Sequence, residues 1–352
     1  MKNFRLLGFL LLLFFIQFSC SSTDHSESNK FTFDDFPEKK QLTGKKYVFP
    51  EVLVPSRILY KNGKLIVSDR SGLAILHRIS AETMSYEQEM GQIGWGPGEL
   101  PGVWSIDPGV NEDTFWAYSG TGKLFAEYHL FDSDKLYKKS IKQAENWYLA
   151  TQLRIVDDNS FLGSMINGED QFVVFDSIGN AKIRLGNWGE LMPELSYNPY
   201  LIADLHQGDL IGNAKNRMFV LPSLNVDRVE IINLKKNTSK AISGPINHFP
   251  KYTISNSSGY DVILLDNSTK ITTYNTGFVG QNQIFLAYIG LNLRLSNKGE
   301  YVKDILVLDF DGKPVVHYML DQSVLNITVD EGNRKIYGTT TDEEPGILVF
   351  DY

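Results

Sequence analysis

The sequence predicts an all-β fold, a six-bladed β-propeller of four-stranded antiparallel blades, and three observations carry that prediction. Beyond Lys45 no segment holds a helical apolar period for a dozen residues, which excludes long amphipathic helices. Short runs rich in Val, Ile, Leu, Phe and Tyr are punctuated by Gly, Asn and Asp at hairpin spacing. One pattern, an apolar strand ending in a polar turn, recurs six times along the chain.

The recurrences are His77–Ser80, His129–Asp132, Val174–Ser177, Ile231–Leu234, Val307–Phe310 and Val349–Tyr352. Their spacings are 52, 45, 57, 76 and 42 residues. A blade of four strands needs about 40–50 residues, so six blades fit, with one long insertion in the widest gap. Seven is the alternative if that gap hides a further blade. Lys64–Asp69, Gln171–Asp176, Arg228–Asn233 and Asp304–Asp309 read as strands, and Asn62-Gly63 and Asp311-Gly312 as tight hairpin turns. Lys135–Asn146 and Trp188–Leu195 read as short helices at most. The last recurrence stops at the C-terminus, one strand short of a blade. Phe31–Phe36 and Tyr47–Val54 are spare strand-like sequence near the other end. An N-terminal strand completing the last blade would close the ring and remove its exposed sheet edge.

Ahead of this body stands an address. Lys2 and Arg5 precede an apolar run from Leu6 to Ile16, too short to span a bilayer and suited to export. The only cysteine, Cys20, follows Ser19 where such a signal would be cut. The context resembles the lipobox of bacterial lipoproteins, in a relaxed form because Gln17 and Phe18 depart from the usual pattern. The resemblance implies diacylation of Cys20, and two acyl chains hold a protein stably on a membrane. Residues 1–19 are thus expected to be a lipoprotein signal peptide, 20–30 a lipidated flexible tether, and 31–352 a single propeller domain. Ser21–Asn29 has no large apolar residue with which to order itself. The expected location is the cell envelope, on the outer membrane at its periplasmic face or the cell surface.

Composition narrows the partners. The 352 residues are 42% hydrophobic and carry a net charge of −8, which becomes −10 once residues 1–19 are removed. An acidic body repels phosphate backbones, so nucleic acid is not an expected partner. With one cysteine, no disulfide or cysteine-based zinc site forms within the chain.

The sharpest local signal is Gly91-Gln92-Ile93-Gly94-Trp95-Gly96-Pro97-Gly98-Glu99-Leu100. Its glycine spacing is wrong for a dinucleotide fingerprint, and it lacks the Gly-Lys-Ser/Thr of a P-loop. Gly94, Gly96, Pro97 and Gly98 suit a tight connection between one blade's outer strand and the next blade's inner strand. Glu99 is placed to accept backbone N–H groups within it. Together with Leu65–Asp69 and the Leu76–Ile79 strand, this motif resembles the six-bladed, TolB-like propeller lipoproteins of Bacteroidetes, distant cousins of NHL-repeat propellers. The resemblance is specific over residues 57–120 and one of rhythm elsewhere. It implies a six-bladed ring and export, and it carries over no catalytic residue.

His25, His77, His129, His206, His248 and His317 show no metal-ligand spacing, and neither a metal nor a cofactor is expected. Asp309–Gly312 lacks the later ligands of a calcium loop. No Gly-x-Ser-x-Gly is present. Asp176-Ser177-Ile178 matches a short O-glycosylation sequence of exported Bacteroidetes proteins. Propellers bind at the mouth of the channel, which by this reading gathers Arg57, Asp69, Arg70, Trp104, Tyr148 and Tyr200. Aromatic faces beside charges suit a sugar or a peptide. The expected function is therefore that of an exported, lipid-anchored binding or scaffold module for a protein or glycan partner. A channel-centred lyase or hydrolase of the NHL-like type is the alternative.

Overall fold

The computed structural model describes residues 30–72, 74–256, 259–293 and 301–352. The signal, Cys20 and the stalk Ser21–Asn29 lie outside the described residues. Two N-terminal strands come first, β1 (Lys39–Leu42) and β2 (Gly44–Val48). Blade 1 then holds β3 (Pro55–Lys61), β4 (Lys64–Asp69), β5 (Ala74–Ser80) and β6 (Ser85–Gln92). Blade 2 holds β7 (Ser105–Asp107), β8 (Thr114–Ser119), β9 (Leu124–His129) and β10 (Lys139–Lys142). Blade 3 is built of β11 (Ala150–Asp157), β12 (Ser160–Met165), β13 (Asp170–Asp176) and β14 (Ala181–Asn187). Blade 4 follows with β15 (Ile211–Asn213), β16 (Met218–Pro222), β17 (Arg228–Asn233) and β18 (Thr238–Ser243).

A two-stranded hairpin, β19 (Tyr252–Ser255) and β20 (Val262–Leu265), interrupts the sequence before blade 5. This hairpin is the insertion in the widest gap between recurrences, so the ring has six blades and not seven. Blade 5 comprises β21 (Thr272–Val279), β22 (Gln283–Leu291), β23 (Val302–Asp309) and β24 (Pro314–Val324), with β1 added in parallel on its outer edge. Blade 6 has only β25 (Ile327–Asp330), β26 (Lys335–Thr339) and β27 (Gly346–Asp351) from the C-terminal end of the chain. Its fourth strand is β2, antiparallel to β27 from Gly44 opposite Phe350 to Val48 opposite Gly346. An N-terminal strand therefore closes the ring, as the sequence predicts.

The local expectations differ in three places, one being Tyr47–Val54, of which only Tyr47 and Val48 lie in a strand. Phe33–Asp35 forms a 3-10 turn whose Thr32 and Asp35 cap each other, and no strand. Lys135–Asn146 supplies the outer strand β10 instead of a helix, because its alternate residues pair with β9.

Six apolar clusters fill the gaps between adjacent blades, one per gap. Phe115 and Tyr128 of blade 2 meet Ile66 and Ile75 of blade 1; Phe161 and Phe175 of blade 3 meet Trp116 and Phe125. Phe219 meets Phe172 between blades 3 and 4, and Ile231 meets Leu286 between blades 4 and 5. Phe350 meets Phe285 between blades 5 and 6, and Tyr337 meets Leu65 where blade 6 returns to blade 1. Each sheet thus buries both faces, which is why its second and third strands read as continuous apolar runs rather than alternating ones.

Up-and-down strand order gives the ring two unlike faces. Turns from first to second and third to fourth strands lie on one, here the hairpin face. Links from second to third strands and from blade to blade lie on the other, the connection face. On the connection face a helical turn (Trp188–Leu191), a 3-10 turn (Pro193–Leu195) and a helix (Pro199–Leu205) pack with β19 and β20 around Trp188, Leu201, Ile202, Leu205 and Ile263.

His206 is buried behind this cap, with its Nδ1–H donating to the Ile202 carbonyl at 3.1 Å. Burial and the Arg228 guanidinium pull its pKa down from 6.5 to about 4. The folded imidazole therefore stays neutral where the unfolded one takes a proton, and stability falls as pH drops from 6.5 towards 4 by about 3 kcal/mol. Urea unfolding across that window should show the slope in the wild type and lose it in His206→Gln. An unchanged slope in the variant would assign the acid loss elsewhere.

Candidate functional site

The inner strands β3, β7, β11, β15, β21 and β25 surround the ring axis. Two cavities have Arg57 in their shared wall. One is the channel, about 300 Å³, which runs from Arg57, Arg154, Asp209 and Thr276 to the hairpin face at Asn62, Glu112, Lys215, Gln281 and Glu331. The other is a pocket of about 410 Å³ on the connection face between blades 1, 2 and 3.

At the partition, Asp209 braces four blades. Its Oδ2 accepts from Arg57 Nη1 at 2.7 Å and from Thr276 Oγ1 at 2.7 Å; its Oδ1 accepts from Arg154 Nη2 at 3.0 Å. Burial works to raise the Asp209 carboxyl, yet Arg57, Arg154 and Thr276 outweigh it and hold it below the usual carboxylate value. Asp107 of β7 is also buried and accepts from the backbone N–H groups of Gly109 and Ile155 at 2.9 and 3.1 Å. Here burial prevails over those donors and Arg154, and the carboxyl is pushed up.

Lower in the channel the Lys61 ammonium donates to the carbonyls of Pro108, Asn111 and Thr114. Burial, with the Lys215 ammonium nearby, draws its pKa down to about 8. Each of these carboxylates and the ammonium is hydrogen-bonded to other groups of the chain, from strands and from the link between β7 and β8. None of Arg154, Asp209, Asp107, Thr276 and Lys61 is among the residues singled out from the sequence. The legible signal is a lone charge inside an apolar run, such as Arg154 in Leu153–Val156, which burial obliges to find a partner.

The connection-face pocket brings together four of the six residues that sequence reasoning assigned to a mouth: Arg57, Asp69, Arg70 and Trp104. Tyr148 and Tyr200 stand outside its lining; Tyr148 lies under the Lys123 ammonium and Tyr200 on the cap helix. Asp69 is a structural acceptor. Its carboxylate takes the backbone N–H groups of Leu53 (2.6 Å), Val54 (3.1 Å) and Ser71 (2.9 Å) and the Ser71 hydroxyl (3.2 Å). Burial opposes the charge, but these donors hold the carboxyl below its ordinary range.

The glycine-rich segment forms the wall beside the pocket, linking β6 to β7. Glu99 Oε2 accepts from Gly96 N at 2.8 Å, and Gly94 N donates to the Leu100 carbonyl at 3.0 Å. Gly98 holds a left-handed φ of 83°, which a side chain would strain. Trp95 at the tip is 76% exposed.

The histidines are dispersed through the structure. His77 sits between Tyr86 and Asp69 in blade 1, and His317 bonds Asp304 at 2.6 Å in blade 5. Among the described residues no three His, Cys, Asp or Glu side chains are arranged to hold a metal ion.

A ring of this construction defines a six-bladed propeller, and residues 32–332 match the TolB-like 6-blade propeller-like family. The chain belongs to that family. It is also similar in fold to two solved structures. One is an exported protein of Bacteroides fragilis NCTC 9343, at 14% identity over 89% of this chain and 98% of that one, with a TM-score of 0.52. The other is a member of the duf4221 family from Bacteroides vulgatus, at 11% identity over 89% and 96% of the two chains, with a TM-score of 0.55. No curated protein matches the chain.

Proposed function

We propose that the protein is an exported, lipid-anchored binding module whose connection face engages a protein or glycan partner in the cell envelope. One observation carries the reading: the unlike chemistry of the two faces. Among the described residues, all the exposed large apolar side chains except Phe131 and Ile178 sit on the connection face, on its cap or, as Leu136 does at Gly98, against its loops. They include Trp95, Trp104, Tyr148, Tyr197, Phe249 and Tyr260. The hairpin face is instead finished by Asn, Asp and Gly turns. Exposed aromatics spread over one face are the ordinary makings of a recognition surface. Export and anchoring are supported by Lys2–Ile16 and Cys20, and export alone by the Bacteroides fragilis exported protein of similar fold.

The experiment is crosslinking in intact cells with the tagged full-length chain. Replacing Trp95, Tyr197 and Tyr260 together by Ser is expected to abolish capture of a stoichiometric partner, while replacing Phe131 and Ile178 leaves it intact. Equal capture by both variants would overturn the face assignment. In the same cells Cys20→Ala should move the protein out of the membrane fraction, and full retention there would refute the lipid anchor.

A further inference from the structure

We propose that the connection-face pocket takes a saccharide unit bearing a carboxylate, an acidic sugar; this rests on the binding-module reading and names the ligand chemistry of its pocket. The first support is a fixed aromatic platform. The Trp104 indole lies against the backbone of Gly120, where an added Cβ would stand 2.3–2.5 Å from its ring carbons. One face of the indole is thereby closed, and Tyr118 meets it edge-on at 6.5 Å. Trp104 nevertheless remains 51% exposed. A flat apolar wall held in one orientation suits the C–H face of a sugar ring.

The polar inventory of the pocket supplies the second support. Arg57 is locked from behind, its Nε donating to the Trp104 carbonyl at 3.0 Å and its Nη1 to Asp209. Arg70 is exposed at the rim and has no carboxylate partner among the described residues. The side chains of Gln152 and Thr121 also line the pocket without a hydrogen bond to any described group. Asp69 is the one carboxylate in the lining, and four donors from its own strand ends already use it. The free groups are therefore an Arg fork, an amide and two hydroxyls, Thr121 Oγ1 and the buried Ser105 Oγ, beside an indole, in a chain of net charge −8. Arg recognises a carboxylate through paired N–H donors, and the amide and hydroxyls suit ring hydroxyls. The pocket volume of about 410 Å³ falls within the range of small-ligand sites. A peptide carboxylate would satisfy Arg70 and leave the platform and the neutral partners unused.

The test is calorimetric titration of the full-length chain with oligogalacturonate, its carboxyl-reduced neutral counterpart, and a pentapeptide with a free C-terminus. Binding of the acidic oligomer is expected, with a change in tryptophan fluorescence that Trp104→Ala removes. The neutral oligomer and the Arg70→Gln variant should each bind about tenfold or more weakly, as befits a lost charge-assisted pair. Gln152→Ala should weaken binding of acidic and neutral oligomers alike. Melting temperatures equal to wild type would show that these surface variants fold. Equal affinity for the neutral oligomer, preference for the peptide, an unaffected Arg70→Gln, or no binding would each overturn the acidic-sugar assignment. If capture of a cellular partner still depends on Trp95, Tyr197 and Tyr260, that failure is confined to the ligand chemistry; if capture fails as well, the binding-module reading falls with it.

Discussion

A chain beginning at Phe49 is expected to lose cooperative folding, whereas one beginning at Lys30 keeps it. The missing stretch supplies β2, the fourth strand of blade 6, and also Phe31, Phe36 and Leu42, each buried in a cluster between blades. Burial of three large apolar side chains stabilises by about 1.5–3 kcal/mol each, so their loss alone approaches the whole stability of an ordinary domain, about 5–15 kcal/mol. Its second consequence is an edge. Without β2 the outer side of β27 presents unpaired N–H and C=O groups from Gly346 to Phe350, a template for pairing between chains. Size-exclusion chromatography and denaturant unfolding of the two chains make the comparison. The shorter one should elute as aggregate or melt without a cooperative transition, and a peptide of residues 30–48 should restore the monomer in trans. Identical midpoints and elution would mean that the ring closes without its N-terminal strand.

The same architecture explains what could be seen in the sequence. The six recurrences all fall on third strands: β5, β9, β13, β17, β23 and β27. These strands lie between two others and are buried on both sides, so apolar residues dominate them, as in β13 and β27, and an interior charge such as Arg78 is hydrogen-bonded. Three of them end at an Asx turn on the hairpin face. Asp176 accepts from the N–H groups of Ile178 and Asn180, Asn233 from Lys235 and Lys236, and Asp309 from Asp311 and Lys313. Burial and a local hydrogen bond are both written within a few residues, which is why the rhythm shows. Inner strands such as β7 and β15 are only three residues long, too short to carry a legible pattern of their own. The site is legible to the extent that topology alone gathers Arg57, Asp69, Arg70 and Trp104. Tyr148 and Tyr200 are displaced because the third blade begins after a 3-10 turn and a helical cap intervenes before the fourth. The Asp209 brace joins residues 55 and 152 positions apart, and no local pattern records such a pairing.

Asp209→Asn should cost about 3–5 kcal/mol, the usual penalty for leaving a buried cation without its partner. The amide keeps the shape of the carboxylate but removes the charge that holds two guanidiniums, of which Arg154 is buried. In a domain of this size the melting temperature should fall by on the order of 10 °C. Adding Arg154→Met removes the stranded cation and should recover part of the loss, because an apolar replacement of a buried pair is often neutral. Arg57 is more exposed and can be hydrated when Asp209 is gone. The sign of the pH effect follows from the direction of the shift. The folded carboxyl lies below its unfolded value, so its stabilisation is complete above the ordinary aspartate value of 3.8 and is lost only as pH falls through the folded pKa. Acid should therefore act in two stages, the His206 window between 6.5 and 4 first and the Asp209 brace below it. Asp209→Asn should shrink the lower stage, which the Asp69 carboxylate shares, and leave the upper one in place. A variant whose lower stage is undiminished, or that melts within a degree or two of wild type, would show that the charged partition contributes no stability.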